Sequence, residues 1–340
     1  MKILVTANHT PFIAGGANYH VEGLVTALRH FGHQVECLRL PFHYGEVEIE
    51  RQMAFAEQLD LSAPNDVAVD RVISLQFPTY GVQHPEHVIW LMHQHRVCYE
   101  LYDAKQASPA LSALKPQVEA FDQRHLVSAK RLFANSPRVA ERLMHYNGLT
   151  AEPLYHPPYQ AEHFYSANDW GYVVYPSRLE PLKRQSLLIE AMALTRSPVT
   201  LLLTGEGSER YQLEAQIERL GLGHRIRMLG HISEQEKRTL YAHALAVAFP
   251  TFDEDYGYIT LEAMLSSKAV ITCTDSGGPT AFVEHGVTGW QCEPDPNTLA
   301  AALDDAYVNR SRTKQMGEQG REAYQAAGIS WQRVVAKLVS

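Results

Sequence analysis

A chain of 340 residues exceeds one ordinary domain and suits two of about 150 to 170 residues each. Hydrophobic residues make up 45% and charged residues 20%, the balance of a globular protein, which excludes disordered and fibrous classes. The net charge is −8, with 13 basic against 17 acidic residues up to residue 163 and 17 against 21 after it, so neither half shows the basic surplus of a nucleic-acid binder. A local basic patch that meets a membrane surface at its periphery stays compatible with these sums.

No apolar run approaches the roughly 18 residues of a spanning helix. Met1–Thr6 reads as a strand rather than a leader, so the expected location is cytoplasmic, at most at the inner face of a membrane. Cys37, Cys98, Cys273 and Cys292 lie far apart with no CxxC pair, which predicts neither a disulfide framework nor a zinc site. Thirteen of the 17 histidines precede residue 164, and they read as core and surface residues with no common role.

Taken in order, the chain opens with a strand (KILVTA), a turn of small residues (TPFIAGGANYH), a helix (VEGLVTALRHFGH) and a second strand (QVECLRLP). That is a βαβ unit with glycines at its first crossover. Apolar runs follow at Arg71–Leu75, Val88–Met92 and Arg131–Ser136. Proline and turn formers in AEPLYHPPYQAEHFYSANDW mark a join. Beyond it the same alternation returns: strands GYVVYPSRL, VTLLLTGEG, IRMLGHI, LAVAFPT and KAVITCTDSGG, with helical stretches such as RQSLLIEAMALTR, SEQEKRTLYAHA and YITLEAMLSS. Short buried strands separated by helices predict parallel sheets, with ligands at the carboxyl ends of the strands. Loops at about 41–70 and 97–125 carry no readable signal.

Five groups of residues carry chemistry. Arg178 and Lys183, on the loop after the first strand of the second half, are two cations that can neutralise a departing diphosphate. Glu254 and Glu262 are separated by seven residues, one before and one on the helix that starts near Tyr258. Gly277-Gly278 follow a strand, where backbone N–H groups can turn toward phosphate. Gly15-Gly16-Ala17 stand between the first strand and helix, where backbone can approach an anionic or sugar ligand, although the spacing is no GxGxxG fingerprint. His93 and His95 end a buried strand, and no third residue at metal-ligand spacing accompanies them.

These segments together resemble family 4 of the retaining glycosyltransferases, which have the GT-B fold. The match runs through RLEPLK, the E-x7-E stretch between FPT and LEAM, SGGP, VTGW and the GGA loop, and is best between residues 171 and 290. The resemblance implies an α/β fold of two doubly wound Rossmann-like domains facing a cleft. Residues 1–163 would bind the acceptor and 164–328 the nucleotide-sugar donor, with a terminal helix at 329–340 packing back toward the first domain. Arg178 and Lys183 would grip the donor diphosphate, Glu254 the hydroxyls of the donor sugar, and Glu262 the ribose. Backbone near Met228 and Gly230 would frame the base. Gly15, Gly16, Gly277 and Gly278 would line the phosphates, and His93, better placed than His95, would lie against the donor sugar.

Two departures stand out: Ala281 where the family has a glutamate, and Arg184 where it usually has glycine. The implied activity is transfer of a sugar from a nucleotide-diphosphate sugar to a glycan or lipid-linked acceptor, as in polysaccharide biosynthesis, with no cofactor. The triplet Asp253-Glu254-Asp255 has the outline of a metal-binding DxD, but its middle residue is assigned to the sugar, so metal independence is expected. A nucleotide-sugar epimerase or hydrolase of the same fold, or a non-catalytic nucleotide-sugar-binding subunit, are the alternatives. The sugar, the nucleotide, the acceptor and the oligomeric state are not legible.

Overall fold

Short β-branched runs bounded by glycine and proline turns become strands buried on both faces, which requires helices on either side. In the computed structural model, which describes residues 1–12 and 15–340, they build two six-stranded sheets with parallel pairing throughout. The chain divides into two compact units, Met1–Tyr159 with Ser330–Ser340, and Gln160–Ile329.

The first unit contains β1 (Lys2–His9), α1 (Gly16–His30), β2 (Gln34–Pro41), α2 (Glu46–Glu57), β3 (Arg71–Ser74), β4 (His87–Leu91), α3 (Pro109–Ser128), β5 (Arg131–Ala134), α4 (Pro137–Asn147) and β6 (Glu152–Pro153). Its sheet order is β2-β1-β3-β4-β5-β6, so the direction of strand addition reverses between β1 and β3. The stripe Val21, Leu24, Val25 and Leu28 of α1 packs on Ile3, Val5 and Ala7 of β1, the i, i+3, i+4, i+7 spacing of one helix face. α2 and α3 fall in the two stretches that carry no readable signal in the sequence. α4 starts at Ser136, whose hydroxyl accepts from the Val139 amide, and stops at left-handed Gly148.

The second unit contains β7 (Tyr172–Pro176), α5 (Gln185–Leu194), β8 (Thr200–Thr204), α6 (Arg210–Arg219), β9 (Ile226–Met228), α7 (Glu234–His243), β10 (Ala246–Phe249), α8 (Tyr258–Leu265), β11 (Ala269–Cys273), β12 (Gly289–Cys292), α9 (Pro296–Val308) and α10 (Arg310–Ala326). The order β12-β11-β10-β7-β8-β9 reverses between β7 and β10. Leu188, Ile189, Ala191 and Met192 of α5 are wholly buried on this sheet, with Leu187 only partly so. Residues after Ile329 return to the first unit, where α11 (Trp331–Val339) adds Val334, Val335 and Leu338 to the core under α1. Among the described residues no helix is long and apolar enough to cross a membrane.

Candidate active site

A doubly wound sheet leaves a crevice where its strand order reverses, because the loops leaving the two flanking strands turn to opposite faces. In the second unit those strands are β7 and β10. The loop after β7 carries Arg178 and Lys183, and the loop after β10 carries Glu254. The structure brings Lys183 and Glu254 together: the Lys183 ammonium donates to Glu254 Oε2, and it also sits 5.6 Å from the centre of the Phe249 ring. The backbone beneath is fixed, since Tyr175 donates its hydroxyl to the Lys183 carbonyl at 2.6 Å. Arg178 is more than half exposed and pairs with Glu180 at 2.7 Å. The side chain of Gln185, itself buried, holds the Arg178 carbonyl at 2.8 Å.

Glu262 lies one helix away, on α8, and is buried. Its Oε1 accepts from Lys237 Nζ at 3.0 Å and its Oε2 from the Tyr241 hydroxyl at 2.7 Å. Burial alone would drive the proton off Lys237, but the carboxylates of Glu262 and Glu234 overcome this and raise its pKa. Burial, then the charge of Glu262, holds the Tyr241 hydroxyl protonated. Each Glu262 oxygen keeps a second lone-pair direction, the capacity a pair of hydroxyls would need.

Backbone hydrogen bonds join the loops at this edge of the sheet. The amides of Asp253 and Glu254 donate to the carbonyls of Asp275 and Ser276, and the Gly278 amide donates back to the Glu254 carbonyl at 2.7 Å. A Cβ at Gly277 would come within 2.6 Å of the Glu254 carbonyl oxygen, and Gly277 has φ 73°. The two glycines therefore let two loops touch, and the Gly278 amide is committed to Glu254 instead of facing a phosphate. On the other side, the Gly205 amide donates to the Gly230 carbonyl at 2.7 Å, and a Cβ at Gly205 would meet the Ser177 carbonyl oxygen at 2.2 Å. Met228 ends β9 just before this junction. The GEG turn at Gly205–Gly207, which resembles a segment that frames the base, thus packs on the loop that carries Arg178. Its signal was two glycines directly after a strand.

Arg184 is the residue that departs from the resemblance. It adopts φ 53°, ψ 37°, a left-handed backbone that glycine takes freely and that costs another residue about 1 kcal/mol. Its side chain offsets that cost. Nη1 and Nη2 donate to the two oxygens of Asp275 at 2.8 and 2.7 Å, and the guanidinium lies 4.8 Å from the Phe252 ring centre. The hydrogen bonds to Asp275 raise the Arg184 pKa further.

In the Asp253-Glu254-Asp255 triplet, Asp253 is buried at φ 45°, and the Glu254 carboxylate faces Lys183. Among the described residues no three His, Cys, Asp or Glu side chains gather in a way that could hold a metal ion.

In the first unit, Gly15 caps α1 with extended backbone, and no described atom lies within 4 Å of where its Cβ would be. Gly16 opens α1, and Ile13 and Ala14, which precede Gly15 in the sequence, lie outside the described residues. His93 is half-buried just past β4, with Nδ1 2.7 Å from the Gln94 carbonyl. His95 stacks on Phe77 at 5.1 Å, and burial, then the nearby His93, lowers its pKa to about 4. The two rings thus differ in surroundings, His95 being a packed, neutral histidine.

Known structures share this architecture. A sucrose-phosphate synthase from Thermosynechococcus elongatus superposes with a TM-score of 0.81 over 99% of this chain and 97% of that one, at 19% identity. Anabaena HepE in complex with UDP and glucose gives 0.72 over 99% and 98%, at 20% identity. The fold is GT-B, with a doubly wound sheet in each unit. Residues 164–323 match the family described as Glycosyl transferases group 1. Human alpha-1,3/1,6-mannosyltransferase ALG2 is 30% identical over 161 residues, 43% of this chain and 38% of that protein. The D-inositol 3-phosphate glycosyltransferase of Paenarthrobacter aurescens is 25% identical over 240 residues, 64% of this chain and 58% of that protein. The matches span less than two thirds of the length of these relatives.

Proposed function

We propose that the chain is a retaining glycosyltransferase that moves a sugar from a nucleotide-diphosphate sugar to a hydroxyl acceptor. The observation that carries this reading is the meeting of Lys183 and Glu254 at the reversal point of the second sheet. A cation and a carboxylate at one crevice suit a ligand with a diphosphate at one end and hydroxyls at the other.

In this reading the bond from the anomeric carbon to the diphosphate oxygen breaks first. Positive charge develops on the ring and negative charge on the leaving group. Lys183 and Arg178 stabilise the diphosphate as that charge grows, which lowers the barrier because the interaction is stronger in the transition state than before it. Glu254 accepts hydroxyls of the donor sugar and Glu262 those of the ribose. Attack by the acceptor oxygen on the same face retains configuration, and its proton passes to the departing phosphate oxygen. The first unit is assigned the acceptor, with His93 against the donor sugar and Gly15 and Gly16 near the phosphates. The arginine–lysine pair supplies the positive charge, so no divalent ion is required, and peripheral contact with a membrane would serve a lipid-linked acceptor.

Thermal unfolding in the presence of a panel of nucleotide sugars tests the donor assignment, because a ligand bound only by the folded state raises the transition by mass action. UDP-glucose and GDP-mannose come first, with activity then followed after exhaustive chelation. No shift with any nucleotide sugar would remove the reading. Turnover of the donor without an acceptor to an epimer would replace it with epimerisation. Loss of transfer on chelation, restored by Mn²⁺, would make the Asp253–Asp255 triplet a metal site.

A further inference from the structure

We propose that Arg184 and Asp275 form a positioning pair for the donor diphosphate, fixing the place at which Lys183 is presented; this rests on the donor reading given above. Lys183 is the last residue of a short helical turn, Pro181–Lys183, on a loop that leaves β7. A lysine on such a loop has a long, flexible stem, so its usefulness to a transition state depends on how firmly its backbone is held. The carbonyl side of Lys183 is held by Tyr175 from within the same sheet. The next residue is Arg184, and its side chain reaches to the loop after β11, two strands away in the sheet order, where it bonds both oxygens of Asp275.

The loop that carries Glu254 is caught between. The Phe252 amide donates to the Leu182 carbonyl at 2.8 Å, and Thr251 Oγ1 donates to the same carbonyl at 3.0 Å. From the other side the Asp253 amide donates to the Asp275 carbonyl at 2.9 Å. The guanidinium closes this arrangement over the Phe252 ring. The Arg184–Asp275 pair is thus the side-chain strap over a junction whose backbone bonds already join the Lys183, Glu254 and Gly277 loops. A planar fork bonded at two points fixes direction as well as distance, which a single ammonium contact does not. The left-handed backbone at Arg184 is the position where glycine would sit without strain. A bulky residue there marks a side chain with a task, and the task the bonds describe is to hold the diphosphate loop.

The experiment is a comparison of UDP with uridine, and of GDP with guanosine, as probes of the full chain by calorimetry and ligand-observed NMR. The ratio of the two affinities isolates the diphosphate contribution. Arg184→Gly is expected to keep its unfolding temperature, since it relieves the left-handed strain, and to leave nucleoside affinity unchanged. It should reduce the diphosphate ratio by about tenfold, the scale of a charge-assisted contact misplaced. Asp275→Asn should do the same, and the double variant should be no worse than either single one. Arg184→Lys should recover only part of the ratio, and the reversed pair, Arg184→Asp with Asp275→Arg, most of it. An unchanged ratio in Arg184→Gly overturns the proposal. A preserved or increased ratio in Asp275→Asn also overturns it, making Arg184 a direct phosphate ligand freed by the loss of its partner. If the unaltered chain prefers neither diphosphate over its nucleoside, the donor reading falls, and this proposal with it.

Discussion

The ammonium of Lys183 and the carboxylate of Glu254 form an ion pair, although the two residues are assigned to different parts of the same donor. A diphosphate that recruits Lys183 therefore competes with Glu254 for it. The pair is mostly shielded from solvent, so the competition is weakly screened.

Glu254→Gln should consequently bind UDP more tightly than the unaltered chain, by about three- to tenfold, since a neutral amide competes less for the lysine. Transfer should fall at the same time, because the amide replaces a carboxylate at the sugar hydroxyls. Calorimetry with UDP beside turnover measurements checks both directions. Weaker UDP binding would mean that Glu254 itself supports the nucleotide.

Removing either cation should cost transition-state stabilisation. Arg178→Ala and Lys183→Ala are each expected to raise the barrier by about 2 to 4 kcal/mol, read from kcat/KM. Lys183 should show the larger effect, because Arg178 is more exposed and more screened by solvent. Full activity in both folded variants would remove the diphosphate assignment.

Glu262 has two effects that must be separated. Glu262→Ala leaves Tyr241 without its buried acceptor and Lys237 with Glu234 alone, and should destabilise the second unit by about 1 to 3 kcal/mol. Glu262→Gln keeps one acceptor and costs less. Nucleotide affinity should drop in both variants, whereas stability should drop mainly in the first. Urea unfolding alongside UDP titration distinguishes them.

The first unit should be sensitive to acid. Burial lowers His87 and His95 to about 4 and His156 to about 3, while burial raises Asp122 to about 7. Asp122 is clamped between the hydroxyls of Tyr80 and Tyr99 at 2.6 and 2.7 Å. On unfolding between about pH 4.5 and 6, the three histidines take up protons and Asp122 releases one. More protons bind the unfolded chain, so stability falls as pH falls through the ordinary histidine range near 6.5, by up to about 3 kcal/mol per pH unit. His20, wholly buried with its pKa lowered, adds to the same direction. Hydrogen exchange at pH 5 and pH 7 should show protection lost in β4 and α1 before β7 and β10. Equal loss in both units would contradict the assignment. The same burial makes His95→Ala a stability variant, so His93→Ala, with nucleotide binding retained and transfer lost, is the informative one.

Chemistry-bearing residues close in sequence to strand ends were legible because a parallel strand ends at the ligand edge by construction. RLEPLK after YVVYP, FDEDYG after LAVAF and SGG after AVITC each declare both a strand and its loop. The helices α2 and α3 were not legible although their buried residues follow helical spacing: the α2 stripe is only Ile49, Met53 and Ala56, and in α3 Pro116 and the buried Asp122 interrupt the stripe of Leu114, Val118, Phe121 and Leu126. The histidines before residue 164 read as core and surface residues, and His20, His87 and His156 are buried in the first unit with His95 partly so; burial lowers all four pKa values, a condition that only packing creates.

The sequence by itself determined the parallel α/β class, the alternation that gives two sheets, and which loops carry cations and carboxylates, because these depend on local periodicity and on strand ends. Tertiary structure decided the pairings. Lys183 meets Glu254 across 71 positions and Arg184 meets Asp275 across 91, and neither spacing carries a signal. Those contacts exist because β10 lies beside β7 and β11 beside β10, an order set by how helices cross the sheet and not by any residue near the site. The same order commits the Gly278 amide to Glu254, so the glycine pair also serves as the close contact of two loops.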